Sequence, residues 1–375
     1  MRYIGLMSGT SADGIDLALV EFDDSQQQQA NGALLIASYY QAYDHDTQDK
    51  IMSLYNASDH EIDRAGSLNI ELAEQFAHAI KQFLQQENLT TAAITAIGCH
   101  GQTIRHRPVK SQYTSRPFTL QIGCLQTLAL LTGIRVVGDF RSKDIALGGQ
   151  GAPLVPAFHQ AIFGATDQDV FVVNIGGIAN ITFLPKNAPL NTIGFDTGPG
   201  NALMDYWFAQ HQSGPYDVQG QWASSGRFCP DLLRLMLTDP YFTQPAPKST
   251  GREYFNGQWL VKFTDKCTLA PADIQATLTV LTAETIAQEI NQLSTKSAVY
   301  FCGGGIKNKL LLSELNQRLN GHFIVNTDEK NINSDALEAM AFAWLALAFD
   351  KNIVGNIPAV TGASKQVVLG ISVNP

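Results

Sequence analysis

Apolar positions in this chain follow two periods that alternate along its length. Met1–Met7 and Ile15–Phe22 are short apolar runs, the second setting Ile15, Leu17 and Leu19 against Asp16, Ala18 and Val20. A period of two marks strands, and the tight turn between the runs closes them into a β-hairpin. The next strand is expected over Ala33–Tyr40, beyond a glutamine tract (Gln26–Gln29) that reads as a solvated loop. Leu68, Leu72, Phe76, Ile80 and Phe83 then recur at threes and fours, the stripe of an amphipathic helix. Ala92–His106 reads as a strand running out into a glycine turn, and "LQTLALLTG" as a buried helix closed by Gly133.

The second half starts again. "DVFVVNIGGIANITFL" (Asp169–Leu184) is a strand, a Gly-Gly turn and a strand, repeating the layout of the opening hairpin. A helix over Ala276–Ile290 follows, then an apolar strand that meets Gly303–Gly305 and a further helix, and last a long helix over Ala336–Phe349. Strands alternating with helices indicate an α/β fold with mostly buried central sheets. A chain of 375 residues has room for two domains. The new glycine-rich segment after Ile134–Val137 puts a boundary near residue 136. One domain is then expected over 1–136 with the tail 361–375, and the other over 137–360.

Composition narrows the function classes. Hydrophobic residues at 45% and charged residues at 16% are those of a folded globular chain. A net charge of −9 argues against a nucleic-acid partner and against an anionic membrane surface. The longest apolar run, Ala339–Phe349, falls short of the roughly 20 residues that span a bilayer. The N-terminus lacks the apolar stretch of a signal peptide, and the five cysteines are scattered without a CxxC pair. A reducing cytoplasm fits this pattern. Only His100 and His106 lie close together among the histidines, so a structural transition-metal site is not expected.

Candidate chemistry begins with three glycine turns, each after a strand: Ser8–Gly14, Gly176-Gly177 and Gly303–Gly305. Each alone is weak evidence, since most such turns serve only tight chain reversal. Two such hairpins, one per half, can pinch a polyphosphate between backbone N–H groups, with hydroxyls from Ser8, Thr10 and Ser11. The first turn lacks the lysine of a phosphate loop; the nearest is Lys50, and the turn carries Asp13 and Asp16 instead. Carboxylates repel phosphate, so these two are expected to hold the waters of Mg²⁺, which supplies the missing positive charge. The third turn, opening a helix, suits a base and sugar lying against backbone.

"GFDTGPGNALMD" places Asp196 at a strand end before Gly-Pro-Gly and a helix start, where it reads either as a base beside an anion or as an Asx-turn cap. "CHGQTIRHRP" gathers His100, Gln102, Thr103, Arg105, His106 and Arg107, either as ligand contacts at a strand end or as a solvated basic loop. Arg141 in "GDFRSKDIALGGQGAPLVP" is either a bidentate carboxylate clamp or a surface ion pair. Glu338, on an otherwise apolar helix, is either a cap or an acid turned into a cleft. "PKSTGREYFN" carries Lys248, Arg252 and Glu253 in a loop that reaches the cleft or makes an interdomain or subunit contact.

These segments together resemble one family. The strand–turn–strand pairs are similar to those of the sugar kinase/Hsp70/actin superfamily. "GLMSGTSADGID", "CHGQT", "GDFRSKDIALGGQGAPLVP", "VVNIGGIANIT", "GFDTGPGN", "STGREYFN", "CGGGIKN" and "DALEAMAFAWLA", in that order, resemble anhydro-N-acetylmuramic acid kinases within it. The resemblance implies a two-domain ribonuclease H-like/actin-like ATPase fold with a central interdomain cleft. It implies ATP and Mg²⁺, a 1,6-anhydro amino-sugar substrate from peptidoglycan turnover, and homodimers whose subunits open and close. The expected reaction opens the anhydro ring with water and phosphorylates O6, with Asp196 as catalytic base. Nucleotide contacts are expected at Gly9, Thr10, Ser11, Ala12, Asp13, Gly14, Ile15, Asp16, Asn174, Gly176, Gly177, Gly303, Gly304 and Gly305. Substrate contacts are expected at His100, Gln102, Thr103, Gln121, Arg141 and Glu338. The competing readings are another sugar or acyl kinase, a chaperone-type ATPase and an actin-like filament protein.

Overall fold

A computed structural model of the chain describes residues 1–23, 33–110, 114–164, 167–186, 188, 191–246, 248–265, 268–325 and 336–375, and the Gln26–Gln29 tract lies outside them. The strands of its first half are β1 (Arg2–Ser8), β2 (Gly14–Phe22), β3 (Ala33–Ala42), β4 (Ala96–Arg107), β5 (Phe118–Ile122) and β6 (Val136–Gly138). Those of the second are β7 (Asp169–Ile175), β8 (Ile178–Leu184), β9 (Ile193–Pro199), β10 (Ser297–Cys302), β11 (Phe323–Val325) and β12 (Ile371–Val373).

The strands form two sheets of one topology. In the first, β1, β2 and β3 make an antiparallel meander, and β4 and then β6 add in parallel on the other side of β1. In the second, β7, β8 and β9 repeat the meander, and β10 and then β11 add in parallel beside β7. This duplicated order is the ribonuclease H-like, actin-like ATPase fold. Extra strands mark only the first sheet, where β5 pairs with β4 and β12 closes the edge against β6.

Each sheet is stabilised by the helix stripe that the sequence displayed. Ile4, Leu6, Ile15, Leu17 and Leu19 pack with Leu72, Phe76, Ile80 and Phe83 of the helix Glu61–Gln86. Phe171, Val173, Ile175 and Ile181 pack with Leu278, Leu281, Ile286 and Ile290 of the helix Pro271–Leu293. Each such side chain contributes about 1.5–3 kcal/mol when fully buried. The alternation along β2 does not separate core from solvent, because Ala18 and Val20 are as buried as Leu17 and Leu19. Its other face is covered by the helix Leu337–Asp350.

That helix also corrects the domain boundaries. The chain divides into one unit of Met1–Ala165 with Asn331–Pro375 and another of Thr166–Lys330, so 137–165 and 331–360 belong with the first unit. The helix Leu337–Asp350 lies directly on the first sheet. A Cβ at Gly5 would stand 1.7 Å from Ala339 O, and one at Gly98 1.9 Å from Phe342 O. Buried Asp144 fixes the other segment by accepting from Asn356 Nδ2 (2.7 Å), Thr361 Oγ1 (2.7 Å) and the Gly151 N–H (2.8 Å). Among the described residues no helix is long and apolar enough to cross a membrane.

Candidate active site

The first hairpin turn is braced from within its own unit. Ser8 Oγ donates to Gln102 Oε1 (2.5 Å), and Gln102 Nε2 donates to Gly9 O (3.0 Å) and to the Tyr55 hydroxyl (3.2 Å). Gln102 and Ser8 are wholly buried. Gln102 therefore holds the turn from below rather than meeting a substrate, and Ser8 is not a surface phosphate donor. Ile15 is likewise a core residue, paired with Gln41 in the sheet, so the nucleotide contact expected at this position is not open to its side chain. Thr10, Ser11 and Asp13 remain exposed at the tip, where Ser11 Oγ donates to Asp13 Oδ1 (2.8 Å).

In the second unit the Gly176-Gly177 turn is locked against the start of the helix Ala202–His211. Gly176 O accepts from the Asn201 N–H (2.8 Å), and Gly177 O accepts from Gly200 (2.9 Å) and Ala202 (3.1 Å). With its carbonyls taken, the turn keeps N–H groups that donate to no described residue. Gly200 is required here, since a Cβ would stand 2.3 Å from Gly176 O. The third turn folds onto the same strand: Gly303 (φ +82°) lies against Asn174 Oδ1 and Gly305 against Ile175. Asn308 then caps the helix Lys309–Arg318 by accepting from the Leu311 N–H (3.1 Å).

Asp196 sits inside β9, opposite Asn180 beside an irregularity in the β8–β9 register, and not at a strand end. The Asx-turn alternative fails, because its carboxylate is held by a distant loop. Oδ2 accepts from the Thr250 N–H (2.9 Å) and Ser249 Oγ (3.1 Å). Its main chain is pinned by Tyr241, whose hydroxyl donates to Asp196 O (2.7 Å), and by its own N–H donating to Lys248 O (3.0 Å). Burial raises the carboxyl above its ordinary range, opposed by these two hydrogen bonds and aided by the nearby charge of Glu253. Oδ1 accepts no hydrogen bond from any described residue. The arrangement is that of an oriented carboxylate with one oxygen open and a raised proton affinity. Lys248 takes no part, since it is buried in an ion pair with Glu289 (2.6 Å).

The remaining expected contacts cluster in the first unit. β4 does not end at the glycine turn. Gly101 (φ +73°) bends it, and a Cβ there would strike Ile122 O, so the strand leaves β1 and runs on to Arg107 beside β5. This puts Gln121 opposite Thr103, where Gln121 Nε2 donates to Thr103 Oγ1 (3.0 Å) and Thr119 Oγ1 (2.7 Å). Arg141 donates to His100 Nε2 through Nη2 (2.8 Å) and Nε (3.2 Å), and to Gly151 O through Nη1 (2.6 Å). A guanidinium only donates, so the His100 proton resides on Nδ1, which donates to Gly101 O (2.7 Å). Burial and the Arg141 charge push His100 down to about 3, keeping it neutral.

Arg141 is no surface ion pair. One edge is consumed by His100, and the Nη1–Nη2 end keeps a hydrogen on each nitrogen. Burial pushes it down to about 10, against the nearby Glu338 carboxylate. Glu338, in the first turn of its helix, stays solvent-accessible, yet burial raises its carboxyl while Arg141 pulls it back. A cavity of about 320 Å³ opens beside His100, lined also by Thr119, Gln121, Asp139 and Ser142. A wider groove of about 750 Å³ along Lys309–Asn320 holds none of these residues.

A family model for anhydro-N-acetylmuramic acid kinase matches residues 1–375. The chain belongs to that family. It is 54% identical to the anhydro-N-acetylmuramic acid kinase of Colwellia psychrerythraea strain 34H, over 100% of this chain and 97% of that one. The kinases of Saccharophagus degradans (49%, over 98% and 97%) and Pasteurella multocida (47%, over 99% and 96%) are similar along their whole lengths. A member of the anhydro-N-acetylmuramic acid kinase family is a phosphotransferase with an alcohol group as acceptor.

For a member of this family the metal question can be put to the residues. Among the described residues no group of three His, Cys, Asp or Glu side chains gathers as a metal site. Asp13 and Asp16 do share a neighbour, since both carboxylates add to the burial that raises the Tyr40 hydroxyl. Two hard oxygen donors, one of them exposed at the turn, fit an ion held through its own waters and not an all-protein cage. Ser249, Thr250, Tyr241 and Thr119 escaped the sequence reading. The first two lie in the "STGREYFN" segment that carries the family resemblance, which is the signal that could have singled them out.

Proposed function

We propose that this chain uses ATP to open 1,6-anhydro-N-acetylmuramic acid hydrolytically and to phosphorylate it at O6, in the reuse of peptidoglycan fragments. The observation that carries the reading is Asp196, with Oδ2 tied to Thr250 and Ser249, Oδ1 open, and its proton affinity raised by burial. A kinase that acts on a free hydroxyl has no need to add water. An anhydro sugar does need it, because O6 is masked in the C1–O6 bridge. Asp196 takes a proton from water as the water oxygen bonds to C1, and the C1–O6 bond breaks. O6 carries its electron pair to the γ-phosphorus, and the bridging oxygen leaves on ADP. General-base assistance of this kind contributes about 10²–10⁴-fold.

Backbone N–H groups at Gly9–Gly14 and at Gly176 and Gly177 would receive the phosphates, with Asn174 and Gly303–Gly305 toward the nucleoside. Mg²⁺ supplies charge neutralisation when bound, and Asp13 and Asp16 would hold its waters. His100, Thr103, Gln121, Arg141 and Glu338 would receive the amino sugar, with the free end of Arg141 as the fork for its carboxylate. The protein is proposed to work as a cytoplasmic homodimer. The test is ADP release with and without the anhydro sugar in ¹⁸O-labelled water. Sugar-dependent turnover with one label on C1 and none in the phosphate supports the reading, and sugar-independent hydrolysis overturns it.

A further inference from the structure

The mechanism above leaves the first phosphate turn without a protein cation, since Lys50 is paired with Asp46 (2.7 Å) and Glu71 (2.9 Å). Lys248 is committed to Glu289. A different cation lies on the second turn. A Cβ built on Gly177 would stand 2.5 Å from Arg252 Nε and 2.6 Å from its Nη2, so the guanidinium lies directly against the bare glycine. Arg252 is exposed and makes no hydrogen bond or ion pair with any described residue. Its charge acts on Asp205, in the first turn of the helix Ala202–His211. Burial pushes the Asp205 carboxyl up to about 6, and Arg252 opposes that rise.

Arg252 also belongs to the loop that orients the base. Ser249 and Thr250 grip Asp196, and two residues later the chain lays Arg252 on Gly177. One short segment thus positions a carboxylate and a planar fork of N–H donors that makes no hydrogen bond to a described residue. Such a fork matches the oxygens of a phosphoryl group, and fixed donors act most strongly where charge builds up in the transition state.

We infer that Arg252 is a catalytic residue of the phosphoryl transfer, donating N–H bonds to the non-bridging γ-phosphoryl oxygens. The inference rests on the proposed role of the Gly176-Gly177 turn. As the O6–P bond forms, the bond from phosphorus to the β,γ-bridging oxygen breaks and that oxygen leaves on ADP with the electron pair. Arg252 gives up no proton. It offsets the charge on the transferring group.

The experiment compares wild type, Arg252→Ala and Arg252→Lys in two arms. The first measures sugar-dependent turnover, with and without guanidinium at a concentration too low to denature. The second titrates ADP with and without aluminium fluoride, a mimic of the transferring group that needs no sugar. In Arg252→Ala, kcat should fall about 10²–10³-fold with the KM for ATP little changed. Guanidinium should restore part of the loss, ADP should bind normally, and the gain in affinity from aluminium fluoride should disappear. Arg252→Lys should lie between the two. The inference is overturned by a kcat within about threefold of wild type, by equal losses for ADP and its fluoride complex, or by a loss that guanidinium does not touch. If the wild type ignores the sugar while its fluoride complex still depends on Arg252, the substrate reading fails and this one stands.

Discussion

The Thr250 N–H and Asp196 Oδ2 lie 2.9 Å apart, joining segments separated by 54 residues. This bond and the burial around it act in opposite directions on the same proton. Burial favours the neutral carboxylic acid, while the N–H and the Ser249 hydroxyl favour the anion. Their balance gives a group that holds a proton more firmly than an ordinary aspartate.

Asp196→Asn keeps the shape and the Thr250 contact but removes the proposed base. Turnover should fall by about 10²–10⁴-fold or more, with ATP still bound. ADP-release kinetics beside a nucleotide titration checks this, and near-normal turnover contradicts the assignment.

The acid limb of the pH–rate profile should move in opposite directions in two neighbours of the base. The base acts when deprotonated, so activity is lost as pH falls through its raised pKa. Ser249→Ala removes a hydrogen bond that lowers that pKa, and the limb should shift to higher pH. Glu253→Gln removes a like charge that raises it, and the limb should shift to lower pH. A profile of kcat/KM for both variants decides, and shifts of one sign in both would refute Asp196 as the titrating group.

Arg141→Ala should raise the KM for the amino sugar far more than the KM for ATP, because the fork end of Arg141 is the proposed carboxylate partner. It also leaves buried His100 Nε2 without its donor, which costs about 1–3 kcal/mol of stability. Steady-state kinetics with urea unfolding separates these effects. Equal changes in both KM values would count against the placement.

Gly98→Ala should destabilise the first unit severely. The new methyl would stand 1.9 Å from Phe342 O, and a helix backbone cannot yield as a side-chain tip does. A loss of about 3 kcal/mol or more is expected, at the upper end of overpacking. Chemical denaturation measures it. Since the displaced helix carries Glu338, the sugar KM should rise in whatever protein folds.

Much of the fold was legible because local periodicity and burial agree. The stripe Leu68–Phe83 became the helix Glu61–Gln86, and the two hairpins became the starts of two matching sheets. β4 misled at Gly101, because a glycine that stops one strand pairing looks the same in sequence as one that bends a strand toward another partner. Gln102 misled for a related reason. A polar residue in a ligand-rich segment carries no sign of which way its side chain points, and this one points down to hold the turn.

The sequence by itself determined the α/β class, the doubled hairpin and the positions of the glycine turns. These follow from spacing along the chain, and spacing is a local property. Only the tertiary structure decided the partners. It sent 137–165 and 331–360 back to the first unit, set Arg141 on His100, tied Asp196 to Ser249 and Thr250, and laid Arg252 on Gly177. Hydrogen bonds and desolvation act over a few ångströms in space whatever the separation along the chain, so only the folded arrangement fixes them.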